Sequence, residues 1–205
     1  MILQILKMLN TLKISRQLMY STALSGKACL LNLRKNYKSY ENINDAEFKV
    51  FSQNGDDGII DFLLYMTSSK NSKFIEIGTE NYDEANTRFL YETSNSKGLI
   101  IDDSFNLKKL SNELDFWKRK IVAVKTKITS QNINLVLKKN DFYNDIDLFS
   151  IDIDGIDYWV IKELPKKFAK IFVVEFNPVF GPNLEISVPN IKNFNRTKYH
   201  YSNLC

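Results

Sequence analysis

From residue 73 onward, short apolar runs rich in β-branched residues alternate with stretches whose apolar positions recur at helical spacing. KFIEIG (73–78) predicts a first strand, followed by a helix in EANTRFLYETS (84–94) with Asp83 as its cap. GLIIDD (98–103) predicts a second strand, and a helix follows from about Ser104. IVAVKTKI (121–128) is the third, with a short helical stretch around 131–139. LFSIDID (148–154) is the fourth, followed by the helix DYWVIKEL, which Pro165 helps to end. KIFVVEFN (170–177) is the fifth.

Strands separated mostly by helices predict an α/β fold: a Rossmann-like, doubly wound, mostly parallel sheet covered on both faces. Right-handed crossovers bring every strand's C-terminal end to one rim, where ligands bind at the reversal of strand order. The polar signals fall at those ends. Glu76 and Gly78 mark the first exit, Asp102 and Asp103 the second, Asp152 and Asp154 the fourth, and Glu175 and Asn177 the fifth. A common ligand cleft is therefore expected at the rim.

Before the sheet, residues 1–26 carry apolar positions at helical spacing with interspersed lysines and an arginine. They predict an N-terminal packing helix, with a peripheral membrane or partner helix, or an organelle-targeting segment, as the alternatives. No uninterrupted apolar run is long enough to span a bilayer. A polar connection, 34–58, leads into a packed helix at GIIDFLLYMTSS. Two regions are expected: 1–50, helical and connecting, and 51–205, the α/β domain.

The 205 residues, 44% hydrophobic and 25% charged, describe a folded chain. The net charge of +4 is spread mostly over lysines in helical segments, which gives little reason to expect a specific nucleic-acid partner. Cys29 and Cys205 are the only cysteines, one near each end, so a disulfide framework or a thiolate metal site is not expected; a reducing, cytoplasmic location is. The single His200, in a polar tail, makes a Ser-His-acid triad a poor fit, and any divalent metal would need oxygen ligands.

At the rim, a glycine after the first strand permits a tight turn, although GTENYD lacks the further glycines of a full G-x-G-x-x-G signature. A carboxylate ending the second strand is placed to accept hydrogen bonds from a ribose diol, and Asp102 is the better placed of its pair. Asp152 and Asp154 share a side if the strand stays extended that far. With Glu175 or Asn177 they could form an oxygen-rich Mg²⁺ or Ca²⁺ site; satisfaction by water and donors is the competing reading. D-x-D spacing also occurs where glycosyltransferases hold a metal and a sugar-nucleotide diphosphate.

Together, FSQNGDDGII, FIEIGTENYDEANTRFL, GLIIDD, SIDIDGIDYWV and VVEFNPVFGP resemble the FkbM-like branch of S-adenosylmethionine-dependent methyltransferases, over roughly residues 51–189. That resemblance implies S-adenosylmethionine bound over the first two strands and O-methylation of a sugar or other small metabolite. It implies that Glu76 and Gly78 lie by the methionine or ribose portion, Asp102 holds ribose hydroxyls, and Gln53 and Asp56 close the cleft. Asp152, Asp154, Glu175 and Asn177 would face the acceptor, with Asp152 taking its proton and Asp154 orienting it or holding a divalent cation. Such folds usually add two terminal strands, so a sheet shortened after the fifth strand is expected, with a homo-oligomer or a contact through residues 1–20 left open. The alternatives are a metal-dependent glycosyltransferase and an inactive, truncated scaffold.

Overall fold

The computed structural model describes residues 2–107, 110, 120–181, 183–191, 194–195, 197–199 and 202–203, with backbone alone for 2–12, 15–16 and 202–203. Its centre is a five-stranded sheet of β1 (Lys73–Ile77), β2 (Lys97–Asp102), β3 (Ile121–Lys125), β4 (Ile146–Ile151) and β5 (Ala169–Val174), in the order β3-β2-β1-β4-β5. All four pairings are parallel. The chain leaves β1 towards β2 and β3 on one side and returns to β4 and β5 on the other. The reversal between β1 and β4 is the place where a doubly wound sheet opens a crevice for a ligand.

Strand side chains alternate, and both sets are apolar because both faces are covered. Ile75, Ile77, Leu99, Ile101, Phe149 and Ile151 form one face. They pack with Ile133 and Leu137 of α4 (Ile133–Lys139) and Val160 of α5 (Asp157–Lys162). Phe74, Ile100, Leu148 and Ile171 form the other. They meet Ile60 and Leu64 of α2 (Asp56–Met66) and Tyr91 of α3 (Arg88–Thr93). Glu76 belongs by parity to this second face, aimed at the layer that holds α3. A separate antiparallel pair, β6 (Ile186–Ser187) and β7 (Ser202–Asn203), stands apart from the main sheet.

The N-terminal helix α1 runs from Ile2 to Leu33, beyond the predicted end near residue 26. Its last turns dock: Leu30 is buried, and a Cβ on Gly26 would lie 2.8 Å from the Val50 side chain, which is how closely α1 approaches the domain. Just past the helix, Arg34 Nε donates to Asp61 of α2 at 2.8 Å and the buried Tyr37 hydroxyl donates to the same carboxylate at 2.9 Å. The Tyr37 ring sits edge-on to Phe62 and Tyr65. The helix predicted from about residue 104 lies mostly outside the described residues, as do His200 and Cys205.

Two local readings are corrected. α3 begins at Arg88, and its cap position is Thr87, with no capping bond from Asp83. The preceding amides are drawn to Glu76, so the chain stays in a loop where helical spacing had begun. Likewise β4 stops at Ile151, and Asp154 has the left-handed φ of 57°, so strand alternation does not place Asp152 and Asp154.

Candidate functional site

At the exit of β1, Glu76 is buried and accepts three hydrogen bonds from one loop. The Asn86 amide reaches Oε1 at 2.8 Å, while the Thr87 amide, at 2.9 Å, and the Thr87 hydroxyl reach Oε2. Burial pushes the Glu76 carboxyl up, and these donors, led by the Thr87 hydroxyl, pull it back. Asn86 in turn donates from Nδ2 to Ser150 Oγ of β4 at 3.1 Å. Glu76 therefore shapes the loop across the β1–β4 switch point.

Gly78 has φ +84°, and its backbone crosses the end of β4 so closely that a Cβ would lie 1.6 Å from the Asp152 carbonyl oxygen. The sheet ladder continues through this crossing, with Gly78 N–H donating to Ile101 and Asp152 N–H donating to Ile77, each at 3.0 Å. The next residue, Thr79, is buried, and its hydroxyl has no hydrogen-bond partner among the described residues. Glu80 and Tyr82 follow with left-handed φ of 46° and 61°.

Asp102 ends β2 and is half-buried. Its Oδ2 accepts from the Glu80 amide at 2.8 Å, and its Oδ1 from the Ser104 amide and hydroxyl at 2.7 and 2.6 Å. A carboxylate offers about four lone-pair sites, so one acceptor position on Oδ2 is left for an incoming hydroxyl.

Across the switch point, Asp152, Asp154 and Glu175 each bring a carboxylate oxygen within 4.8 Å of the others, and all three are exposed. Partial desolvation first, then repulsion from Asp157 and Asp154, raises the Asp152 carboxyl. Burial and then the charge on Asp152 raise Glu175. Asp157 is buried beneath them and accepts from the Ile153 and Gly155 amides, both at 2.9 Å. It fixes the turn that carries Asp154. The trio is an oxygen-donor set that can hold a divalent cation or share a proton.

Beside the trio lies a groove of about 280 Å³, walled by Tyr158, Phe176, Phe180 and Leu184 and edged by Glu175 and Asn177. Asn177 uses Oδ1 to accept the Val179 amide at 3.1 Å, so its carbonyl oxygen caps a short turn. Gln53 is exposed and offers its backbone oxygen to Lys49 Nζ at 2.6 Å; Asp56 opens α2. Its neighbour Asp57, absent from the residues singled out in the sequence, is buried and closes that loop. Its Oδ2 accepts the amides of Val50, Phe51 and Ser52 at 2.7, 2.7 and 3.0 Å. Asn86 and Thr87 were also unmarked, although an Asn-Thr pair before a helical run is the kind of hydrogen-bonding junction that a strand-end carboxylate can recruit.

Neither a protein-family model nor a curated protein matches this chain. What the geometry establishes is a Rossmann-like α/β fold compatible with a nucleotide- or cofactor-binding enzyme, with an acidic trio at its rim.

Proposed function

We propose that this chain is an S-adenosylmethionine-dependent methyltransferase of the FkbM-like kind, O-methylating a hydroxyl of a sugar or other small metabolite. The observation that carries the reading is the switch point itself. One loop crosses from Gly78 to the ribose-accepting position of Asp102, and an acidic trio with an adjoining groove stands on the other side. The unpartnered Thr79 hydroxyl and the remaining acceptor position of Asp102 are polar groups that a nucleoside would satisfy.

Bound S-adenosylmethionine would supply an electrophilic methyl group on a sulfonium leaving group. The chain's own part is positioning and proton removal. Asp102 accepts a ribose hydroxyl, and Gly78 lets the backbone approach. The aromatic walls at Tyr158, Phe176 and Phe180 hold the acceptor. Asp152 takes the proton of the acceptor hydroxyl, while Glu175 and Asp154 set its proton affinity. A divalent cation on the trio would lower the acceptor's pKa instead. The trio also supports a second reading, a metal-dependent glycosyltransferase, in which sugar-nucleotide binding requires the cation.

Titration calorimetry with S-adenosylmethionine and its demethylated product tests the proposal. Saturable binding is expected, weakened about tenfold or more by Asp102→Ala and less by Asp102→Asn. No binding by the folded full chain rejects the cofactor, and cation-dependent binding of a sugar nucleotide instead favours the second reading.

A further inference from the structure

We propose that α1 is a peripheral anchor that lies on the surface of an anionic lipid bilayer. The inference does not depend on the reaction assigned to the rim. It starts from the way α1 meets the rest of the chain. Among the described side chains of residues 13–22 none is buried, and the helix turns inward further along, at Ala23, Gly26, Leu30 and Leu33. From Ile2 to Thr22 the helix is about 30 Å long.

Large apolar side chains stand among the exposed residues of this helix. Ile14, Leu18, Tyr20, Leu24 and Leu31 are 50% to 63% exposed. Tyr20, Leu24 and Leu31 share one side at spacings of four and seven, clear of the buried side of Ala23 and Leu30. A helix with this much apolar surface is unstable facing water and needs a cover.

Charge selects the cover. Residues 1–40 hold seven of the 28 basic residues and none of the 24 acidic ones, so this segment carries +7 while residues 41–205 carry −3. Two copies of such a helix repel each other. A partner helix in a coiled coil is normally matched by charges of both signs along its flanks, which this segment does not provide. An anionic bilayer satisfies both properties at once. Tyr20 and Leu24 enter the headgroup boundary, and Lys13, which shares their side of the helix, extends its ammonium group to lipid phosphates. Among the described residues no helix is long and apolar enough to cross a membrane, so the contact is one of lying on the surface.

Flotation of the full chain with vesicles tests this, comparing phosphatidylcholine alone with phosphatidylcholine mixed with phosphatidylglycerol. Binding to the anionic vesicles only is expected, weakening as salt rises from about 0.1 M to 1 M. Lys13→Gln should weaken it about fivefold, and Tyr20→Glu combined with Leu24→Glu by about tenfold or more. Both side chains are exposed, so thermal unfolding of the double variant should match the parent. Failure to float, equal binding to neutral vesicles, or unchanged binding by the double variant overturns the proposal. So does a vesicle-free dimer that the double variant dissociates, which would make a second copy the cover.

Discussion

A Cβ on Gly78 would lie 1.6 Å from the carbonyl oxygen of Asp152, so the loop leaving β1 and the loop leaving β4 are in backbone contact at the switch point. Any side chain at position 78 must force the two exits apart. The left-handed φ adds its own penalty. Gly78→Ala should cost about 2 to 4 kcal/mol in urea unfolding. A loss below about 0.5 kcal/mol would show that the two exits are not locked together.

Glu76 is the hub of the loop that follows. Glu76→Ala strands the Asn86 and Thr87 amides and leaves the Thr87 hydroxyl only its contact with the Tyr82 hydroxyl, and should destabilise by about 3 kcal/mol or more. Amide hydrogen exchange at residues 86 and 87 should quicken well before that of the strands. Unchanged protection there would mean that other acceptors hold the loop.

The Asp152–Glu175 pair makes a prediction about pH. Both carboxyls bind protons more tightly in the folded chain, so their contribution is fully present at acid pH and is lost as pH rises through the raised folded values. Glu175→Gln should therefore raise Tm at neutral pH and give no gain below about pH 4, near the unfolded value. The gain stays under about 1 kcal/mol because solvent screens exposed carboxyls. Added Mg²⁺ should raise the Tm of the parent more than that of the variant if the trio takes a cation.

Asp61 ties α1 to the domain through Arg34 and Tyr37. Asp61→Ala removes the acceptor of the buried Tyr37 hydroxyl and the partner of Arg34, and should cost about 2 to 3 kcal/mol. Limited proteolysis should then cut between residues 34 and 50 faster than in the parent. Equal cutting rates would place the hold on α1 in the aromatic packing alone.

Short, near-continuous apolar runs rich in β-branched residues made the sheet legible, since KFIEI, GLIID, IVAVK, LFSI and KIFVV all lie in strands and each is bounded by a polar turn. The shared acidic rim was legible for the same reason, because parallel strands end on one side. What could not be read was how each carboxylate is used. Glu76 and Asp102 look alike in sequence, but Glu76 points into the α3 layer and serves a loop, while Asp102 stands half-open at the rim. The D-x-D spacing marked two carboxylates that the structure brings together with Glu175, but by a different local route. Asp152 and Asp154 approach Glu175 through a left-handed turn held by Asp157, and extended alternation has no part in it. Contacts distant in sequence, such as those that bring Tyr37 to Asp61, leave no periodic trace.

Gly155, with φ +155°, lies so close to Phe194 that a Cβ would approach its ring within 2.3 Å, and Trp159 Nε1 donates to the Val188 carbonyl at 2.6 Å. The stretch after the fifth strand is therefore a clasp on the acidic turn. Descendants of this chain could alter that stretch only with compensating change at 155 and 159, so the two should drift through evolution as a single inherited unit.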